Sequence, residues 1–378
     1  MTTRRIRVVF CLDSLGVGGT EMNAVRVAER LDPAHFDLSV ACFRADGRLR
    51  PRFDAAGVRV DEFPVRSLYR ASMVTQGLRF MRYLRQERVD VVHAHDRYAN
   101  IFAIPWARLA GTRALIASKR WGSISRAHGF GNRMAYRLAD RVLANSGMVG
   151  ASLVSEDGVP QQRVVVIPNF VVDWAFDVPD DGWLQKQRAE LTLPADSLVL
   201  GIVANLRTIK NHRLLLDAMA LLLPRFPNAI LVMMGDGPER SALEARTKAL
   251  GIVENVRFAG IQPNLPNPHR LFDVSVLCSF SEGFPNSIVE AMAAARPVVS
   301  TSVGGVRDAV EHEVNGLLVD SGDVAALASA LTRLLESAQL RVAMGAAGQQ
   351  VARSRFTAAG VIPSVARLYR ELAGVDET

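Results

Sequence analysis

The segment SFSEGFPNSIVEAMAAARPVVST, residues 279–301, carries the most specific chemical pattern in the chain. A strand-like run ends in a turn holding Glu282, Gly283 and Phe284, and a helix opens near Pro285, whose missing N–H is no loss in a first turn. The backbone N–H groups of Asn286, Ser287 and Ile288 would then lack helical acceptors and form a site for an anion. Glu290, one turn further in, is placed to accept two hydrogen bonds from vicinal hydroxyls, as a ribose beside a diphosphate offers. Two glutamates at this spacing mean nothing alone. Glutamate, Gly-Phe-Pro, helix start, glutamate and a small-residue helix, in that order, are far more specific.

Four further segments put glycines or cations at strand-to-helix turns. LDSLGVGGTEMNAVRVAERL, residues 12–31, holds Gly16, Gly18 and Gly19 ahead of a helix, where backbone amides can approach an anion. Its spacing is not G-x-G-x-x-G, and no acidic residue ends a strand about 20 residues on, which argues against a nicotinamide dinucleotide. A plain tight turn explains the glycines equally well. GIVANLRTIKNH, residues 201–212, places Asn205, Arg207 and Lys210 in the loop after a strand, where a lysine can neutralise a leaving diphosphate. For Arg207 a solvated basic loop is an even alternative. MMGDGPER, residues 233–240, sets Gly235 and Asp236 in a turn that leads into a helix. STSVGGVRDAVEHEVNGLLV, residues 300–319, repeats the device with Gly304 and Gly305, and both a diphosphate pocket and simple turn chemistry fit it.

These turns need strands and helices to hold them. Apolar runs at 6–12, 37–43, 58–63, 89–93, 114–118 and 141–145 alternate with helical patterns such as 20–31 and 97–110. The rhythm restarts with runs at 198–204, 229–234, 255–259, 274–278, 297–300 and 316–319, separated by helical segments 211–223, 239–250, 286–295 and 323–336. Strands rich in Val, Ile and Leu with little polar alternation predict parallel sheets covered on both faces, and the alternation predicts doubly wound α/β domains. Residues 170–196 lack clear periodicity and read as containing the inter-domain linker. The expected division is residues 1–172, a linker at 173–196, a second domain at 197–355, and a C-terminal helix at 356–378 that packs back on the first domain. Ligands of such sheets bind at the carboxyl ends of the strands, so the two domains are expected to face each other across a cleft.

Length and composition agree. At about 150 residues per domain, 378 residues make two domains or three. With 49% hydrophobic and 22% charged residues the chain is neither disordered, collagen-like nor a small disulfide scaffold. Cys11, Cys42 and Cys278 cannot pair completely and lie in apolar runs, as buried thiols of a reducing compartment do. The N-terminal apolar run stops at Asp13 and reads as a buried strand rather than a secretory signal, and no run is long enough to span a membrane. The net charge of +7 favours anionic partners, although the arginine excess, with lysine only at 119, 186, 210 and 248, is partly compositional.

The chain resembles a family 4 glycosyltransferase of the two-Rossmann-domain type called GT-B. The resemblance covers nearly the whole chain and is strongest from Leu198 to Val319, where VANLRTIKNH, MGDGPER, SEGFPNSIVEAMA, RPVVSTSVGG and NGLLV occur in the family's order and spacing. It implies transfer of a sugar from a UDP- or GDP-sugar to an acceptor, with retention of anomeric configuration, no essential metal and no cofactor beyond the nucleotide-sugar co-substrate. By resemblance, Glu290 holds the donor ribose, Glu282 contacts hydroxyls of the transferred sugar, and Lys210 binds the diphosphate. Gly18 and Gly19 approach the diphosphate through their amides, as do Asn286, Ser287 and Ile288. Asn205, Arg207, Gly235, Asp236, Gly283 and Phe284 complete the donor set. HAHD, residues 93–96, resembles the family's His-x-His and directs His95 and Asp96 to the acceptor side, with Lys119 and Arg120 beside them. His95 joins Lys210 and Glu282 as the residues expected at the reaction centre.

Three departures from the family pattern stand out. Ala204-Asn205-Leu206 replaces the usual Gly-Arg-Leu, so the diphosphate loses an arginine unless Arg207 substitutes. Ala117-Ser118-Lys119-Arg120 replaces Thr-x-His, and Asn169 is followed by Phe170 instead of glycine. The acceptor is expected to be a sugar or a lipid-linked or surface-polysaccharide precursor. Arg79, Arg82 and Arg85 recur at three-residue spacing and Arg133, Arg137 and Arg141 at four, with Trp121, Phe130 and Tyr136 near the second set. Such faces either contact an anionic membrane from the cytoplasmic side or are simply solvated. A sugar-nucleotide epimerase on the same fold needs further acid/base carboxylates. A non-catalytic anion-binding module leaves Glu282 and Glu290 unexplained, and nucleic acid is not an expected partner.

Overall fold

In the computed structural model, which describes residues 4–65, 67, 71–121, 126–262 and 267–375, the Val/Ile/Leu runs form two all-parallel sheets. The chain divides into two compact units, one built from residues up to Asn169 plus those from Ala358 onward, the other from Phe170–Thr357.

The first unit has seven strands: β1 (Ile6–Ser14), β2 (Phe36–Arg44), β3 (Arg59–Glu62), β4 (Val91–Ala94), β5 (Ala114–Lys119), β6 (Arg141–Ala144) and β7 (Val164–Val166). They lie in the order β3-β2-β1-β4-β5-β6-β7. Its helices are α1 (Gly19–Ala28), α2 (Arg50–Ala55), α3 (Ala71–Gln86), α4 (Arg97–Ala110), α5 (Arg126–Leu138) and α6 (Gly147–Ser155). The second unit has α7 (Asp181–Glu190), then β8 (Leu198–Val203), α8 (His212–Leu222), β9 (Ala229–Met234), α9 (Arg240–Ala249), β10 (Val256–Gly260) and β11 (Val274–Leu277). It continues with α10 (Asn286–Ala293), β12 (Val298–Thr301), α11 (Val306–Ala309), β13 (Gly316–Val319), α12 (Val324–Glu336) and α13 (Ala338–Arg355), in the strand order β10-β9-β8-β11-β12-β13. Central strands such as β4 and β9 are buried along their whole length, which is why their sequences show no polar alternation.

In each sheet the strand order reverses beside the first strand, between β1 and β4 and between β8 and β11. Loops leaving neighbouring strands there diverge to opposite faces and open a crevice at the carboxyl edge, the usual ligand position for this topology.

Residues 173–196 are not a free linker. Asp173–Phe176 is a 3₁₀ turn with Ala175 and Phe176 buried, and α7 packs Trp183 and Leu184 against the Leu193–Phe272 cluster of the second unit. The helix is short and mostly polar, which hid it in the sequence. The chain's last helix, α14 (Ala358–Ala373), lies against β1 and β4 of the first unit and buries Tyr369 completely.

Three of the stripe arginines bond to the protein's own backbone. Arg79 donates to the Glu62 carbonyl at 3.1 Å and covers the Phe63 ring. Arg85 donates to the Leu109 and Ala110 carbonyls at the end of α4, where a cation also meets the helix dipole. Arg133 donates to the Glu156 carbonyl. Tyr136 is a core residue, while Phe130 is 75% exposed and Met134, one turn on, is also exposed.

Candidate active site

In the second unit four loops at the carboxyl edge interlock. The turn after β8, residues 204–211, is pinned to the turn after β9: Ala204 N–H donates to the Met234 carbonyl, Leu206 N–H to that of Asp236, and Glu239 N–H to that of Leu206. Gly235 (φ +139) is required here, because a Cβ would run into the Ala204 carbonyl. Asp236 caps Gly237 N–H at 2.8 Å. Asn205 and Arg207 are exposed on the loop, and Leu206 is buried between them. A 3₁₀ turn, Thr208–Lys210, ends at Asn211 in the left-handed region and aims Lys210 toward the loop after β11.

That loop is tied to the same turn by Phe280 N–H donating to the Ile209 carbonyl at 2.9 Å. The result is a contact between two residues 72 positions apart: Lys210 Nζ donates to Glu282 Oε1 at 2.5 Å, and Ser279 Oγ donates to the same oxygen. Glu282 is about nine-tenths buried and Lys210 about three-quarters. Gly304 (φ +50) passes so close that a Cβ would strike the Glu282 carbonyl, so the loop after β12 fixes the Glu282 backbone. Phe284 is buried against Phe356.

Helix α10 then begins without a side-chain cap. Asn286 N–H is not free for an anion as expected: it closes a tight turn onto the Phe284 carbonyl at 3.1 Å. Among the described residues no acceptor pairs with the Ser287 and Ile288 amides, so the first turn keeps two of the three donors foreseen. Glu290 is partly buried one turn along, its carbonyl held by Asn267 Nδ2. Lys210 and Glu282 therefore lie on the two central loops, after β8 and β11, and Ser287, Ile288 and Glu290 in the first turns of α10 that follows, at the point where the strand order reverses.

In the first unit Gly18 is the extended N-cap of α1, with the Glu21 carboxylate folded over it, and Gly19 opens the helix. His95 and Asp96 follow β4, Arg120 follows β5, and Asn145 follows β6. Two of the four acceptor-side residues foreseen are committed elsewhere. Asp96 accepts from the Tyr98 and Ala99 amides with one oxygen and from the Asp13 amide with the other, so it caps α4 and ties it to the end of β1. Burial, then the Asp13 carboxylate, raises its pKa to about 7. Lys119 is also absent from this edge. Side chains alternate along a strand, and Lys119 falls on the α6 side of β5, bonded to Asp157 at 2.7 Å and Ser152 at 2.8 Å, with 1% exposure.

Arg120, on the other side, is nine-tenths buried beside His95. Its Nη1 donates to Asn169 Oδ1 at 3.0 Å, and its Nη2 lies 3.5 Å from His95 Nδ1. His95 stacks on His93 with ring centroids 4.0 Å apart. His93 bridges Tyr369 Oη of α14 (2.7 Å) and Ser118 Oγ (2.9 Å). Burial, reinforced by His93 and by Arg120, holds His95 well below the usual histidine range, and burial with Arg120 does the same to His93, so both rings are neutral. Burial also lowers Arg120, to about 10, which leaves it charged.

Sequence reasoning missed Ser279, Asn145 and Tyr369. Ser279 and Asn145 end strands and were legible as polar residues closing apolar runs. Tyr369, 276 positions from His93, left no local signal.

Comparison with known proteins agrees with this architecture. Residues 17–173 match the family model Glycosyltransferase Family 4, and residues 185–351 match Glycosyl transferases group 1. A D-inositol 3-phosphate glycosyltransferase from Thermobispora bispora is 29% identical, covering 94% of this chain and 90% of its own. An N-acetyl-alpha-D-glucosaminyl L-malate synthase from Bacillus anthracis is 25% identical over 98% of this chain and 97% of its own. The crystal structure of Anabaena HepE in complex with UDP has a TM-score of 0.86 at 23% identity, covering 97% of this chain and all of that one. Sucrose-phosphate synthase from Thermosynechococcus elongatus gives 0.83 at 20%, covering 98% and 100%. At these identities the structures establish the fold, two Rossmann-like domains of the GT-B type.

Proposed function

The chain belongs to the family 4 glycosyltransferases, and on that premise we propose that it moves a sugar from a UDP-sugar to an acceptor hydroxyl with retention of anomeric configuration. The observation that carries the reading is the Lys210–Glu282 pair beside the uncapped start of α10. A cation, a carboxylate and two helix amides at one strand edge match a diphosphate with a sugar attached. The UDP and UDP-glucose in HepE crystals favour uridine over guanosine.

In this reading Glu290 accepts from the ribose hydroxyls, and the Ser287 and Ile288 amides face the diphosphate. Lys210 divides its donors between Glu282 and the departing phosphate, and Glu282 accepts from hydroxyls of the transferred sugar. As the glycosidic bond lengthens, charge builds on the phosphate and Lys210 stabilises it. The acceptor hydroxyl attacks the oxocarbenium-like carbon from the face the phosphate leaves, and its proton passes to that phosphate. No side chain acts as a covalent nucleophile and no metal is required, so turnover should persist in excess EDTA.

We assign the acceptor to the first unit and read it as a lipid-linked or surface-polysaccharide precursor, met by a cytoplasmic enzyme at an anionic membrane. Among the described residues no helix is long and apolar enough to cross a membrane, and the exposed Phe130 and Met134 of α5 provide a surface for shallow contact. Titration with UDP-glucose, GDP-mannose and UDP tests the donor assignment. A tight response to the uridine compounds is expected, and no binding of either nucleotide class would overturn it.

A further inference from the structure

Ser279 stands just past the end of β11 and is fully buried, so it does not itself meet a ligand. Its backbone is fixed from both flanking strands. The Ser279 carbonyl accepts from Thr301 Oγ1, at the end of β12, at 2.7 Å. The next residue, Phe280, donates its N–H to the Ile209 carbonyl, in the turn after β8 that carries Lys210. From that fixed backbone Ser279 Oγ donates to Glu282 Oε1 at 2.5 Å. Lys210 Nζ donates to the same oxygen from the other loop. Among the described residues no donor meets Glu282 Oε2, so one carboxylate oxygen takes both bonds and the other is left to a ligand.

The two donors differ in what the reaction asks of them. Lys210 is a point charge on a flexible stem, and charge growing on the departing phosphate draws it away from Glu282. Ser279 is neutral and short, so the phosphate has no hold on it. We infer that Ser279 is a positioning residue for the transfer: it keeps the Glu282 carboxylate aimed at the donor sugar while Lys210 turns toward the leaving phosphate. Without the hydroxyl, Glu282 has Lys210 alone. Either the lysine stays with Glu282 and the phosphate loses it, or the lysine turns and the carboxylate loses its aim. Both losses fall late, in the transition state rather than in donor binding. This rests on the donor reading above, in which Glu282 accepts from hydroxyls of the transferred sugar.

Ser279→Ala removes one oxygen atom. In the full-length protein, release of UDP is followed from whichever of UDP-glucose, UDP-galactose and UDP-N-acetylglucosamine wild type turns over fastest, at enzyme concentrations that make residual turnover readable. In Ser279→Ala kcat should fall about tenfold, the worth of one hydrogen bond to a charged group, with donor KM and UDP affinity within about twofold of wild type. The same substitution placed in Glu282→Ala should change kcat by less than about twofold, because Ser279 acts through that carboxylate. A residue that only held the loop would lower kcat by the same factor in both backgrounds and would weaken UDP as well. The melting temperature reports that each variant is folded. If Ser279→Ala is not, Ser279→Cys, of similar size with a weaker donor, carries the same comparison with a smaller loss. A folded variant with wild-type kcat, or an equal loss with and without the Glu282 carboxylate, overturns the assignment while the donor reading stands. A wild type that binds no UDP, or releases it from none of the three donors, overturns the donor reading, and the role of Ser279 falls with it.

Discussion

Lys210 and Glu282 neutralise one another across 2.5 Å, so a donor diphosphate meets a lysine that already has a partner. Binding must share that lysine, and the gain from it is small in the ground state. As charge develops on the leaving phosphate the balance moves toward the phosphate, so the contribution of Lys210 grows late. Lys210→Ala is therefore expected to lower kcat by about 10²–10³, the usual loss for one preorganised donor to a developing oxyanion, with a much smaller change in donor KM. Steady-state kinetics with UDP-sugar checks this; an unchanged kcat with a raised KM would make Lys210 a binding residue only. Lys119 belongs to a different account. It is a buried ion pair with Asp157, and its loss leaves that carboxylate without its lysine, an effect of about 3–5 kcal/mol. Lys119→Met should thus lower the denaturation midpoint sharply, and Lys119→Met with Asp157→Leu should recover most of the loss. A folded Lys119→Met of normal stability would restore the residue to consideration at the carboxyl edge.

At the scale of elements, the sequence made the strands and the β11–α10 block legible because both are local patterns. A continuous Val/Ile/Leu run becomes a central parallel strand, and SEGFPNSIVEAMA is a strand end, a tight turn and a helix start read in order. What stayed hidden depends on facing. Lys119 and Arg120 are adjacent in sequence, yet the pleat sends them to opposite sides of β5, and only the neighbouring α6 decides which side is the site. For the same reason, spacing cannot reveal that Arg79 and Arg85 end on backbone carbonyls. The surface that remains for a membrane is the outward side of α5, where Phe130 and Met134 stand exposed beside Arg133 and Arg137. Burying a phenylalanine in a lipid interface contributes about 1.5–3 kcal/mol at most, less for shallow insertion. Phe130→Ser should reduce sedimentation with anionic vesicles several-fold at low salt. No binding by wild type would mean that α5 faces water and that the acceptor is soluble.

For the whole molecule, acidity is the condition that probes both units at once. His93 and His95 in the first unit, and His212 and His269 in the second, are all held neutral chiefly by burial, the last two at about 4 and about 3. A histidine whose folded pKa lies below its unfolded value near 6.5 lets the unfolded chain bind more protons, so stability falls as pH drops below about 6.5. Each such group contributes up to about 1.4 kcal/mol per pH unit in that window. Asp96 acts in the opposite sense: its pKa is raised to about 7, so its contribution is complete below the unfolded carboxylate value and fades as pH rises toward 7. One aspartate against four histidines leaves a net loss on acidification. The melting temperature should hold from pH 8 to pH 7 and then fall steeply between pH 6.5 and pH 5. Each unit contains two of the histidines, so near-ultraviolet signals from Trp106 in the first unit and Trp183 in the second should both move in that range. Replacing His212, whose two ring nitrogens are buried without partners, with Leu removes one proton-binding group from the unfolded chain and should flatten the fall. A melting temperature that is level or rising between pH 6.5 and pH 5 would show that these rings are charged or exposed in the folded protein.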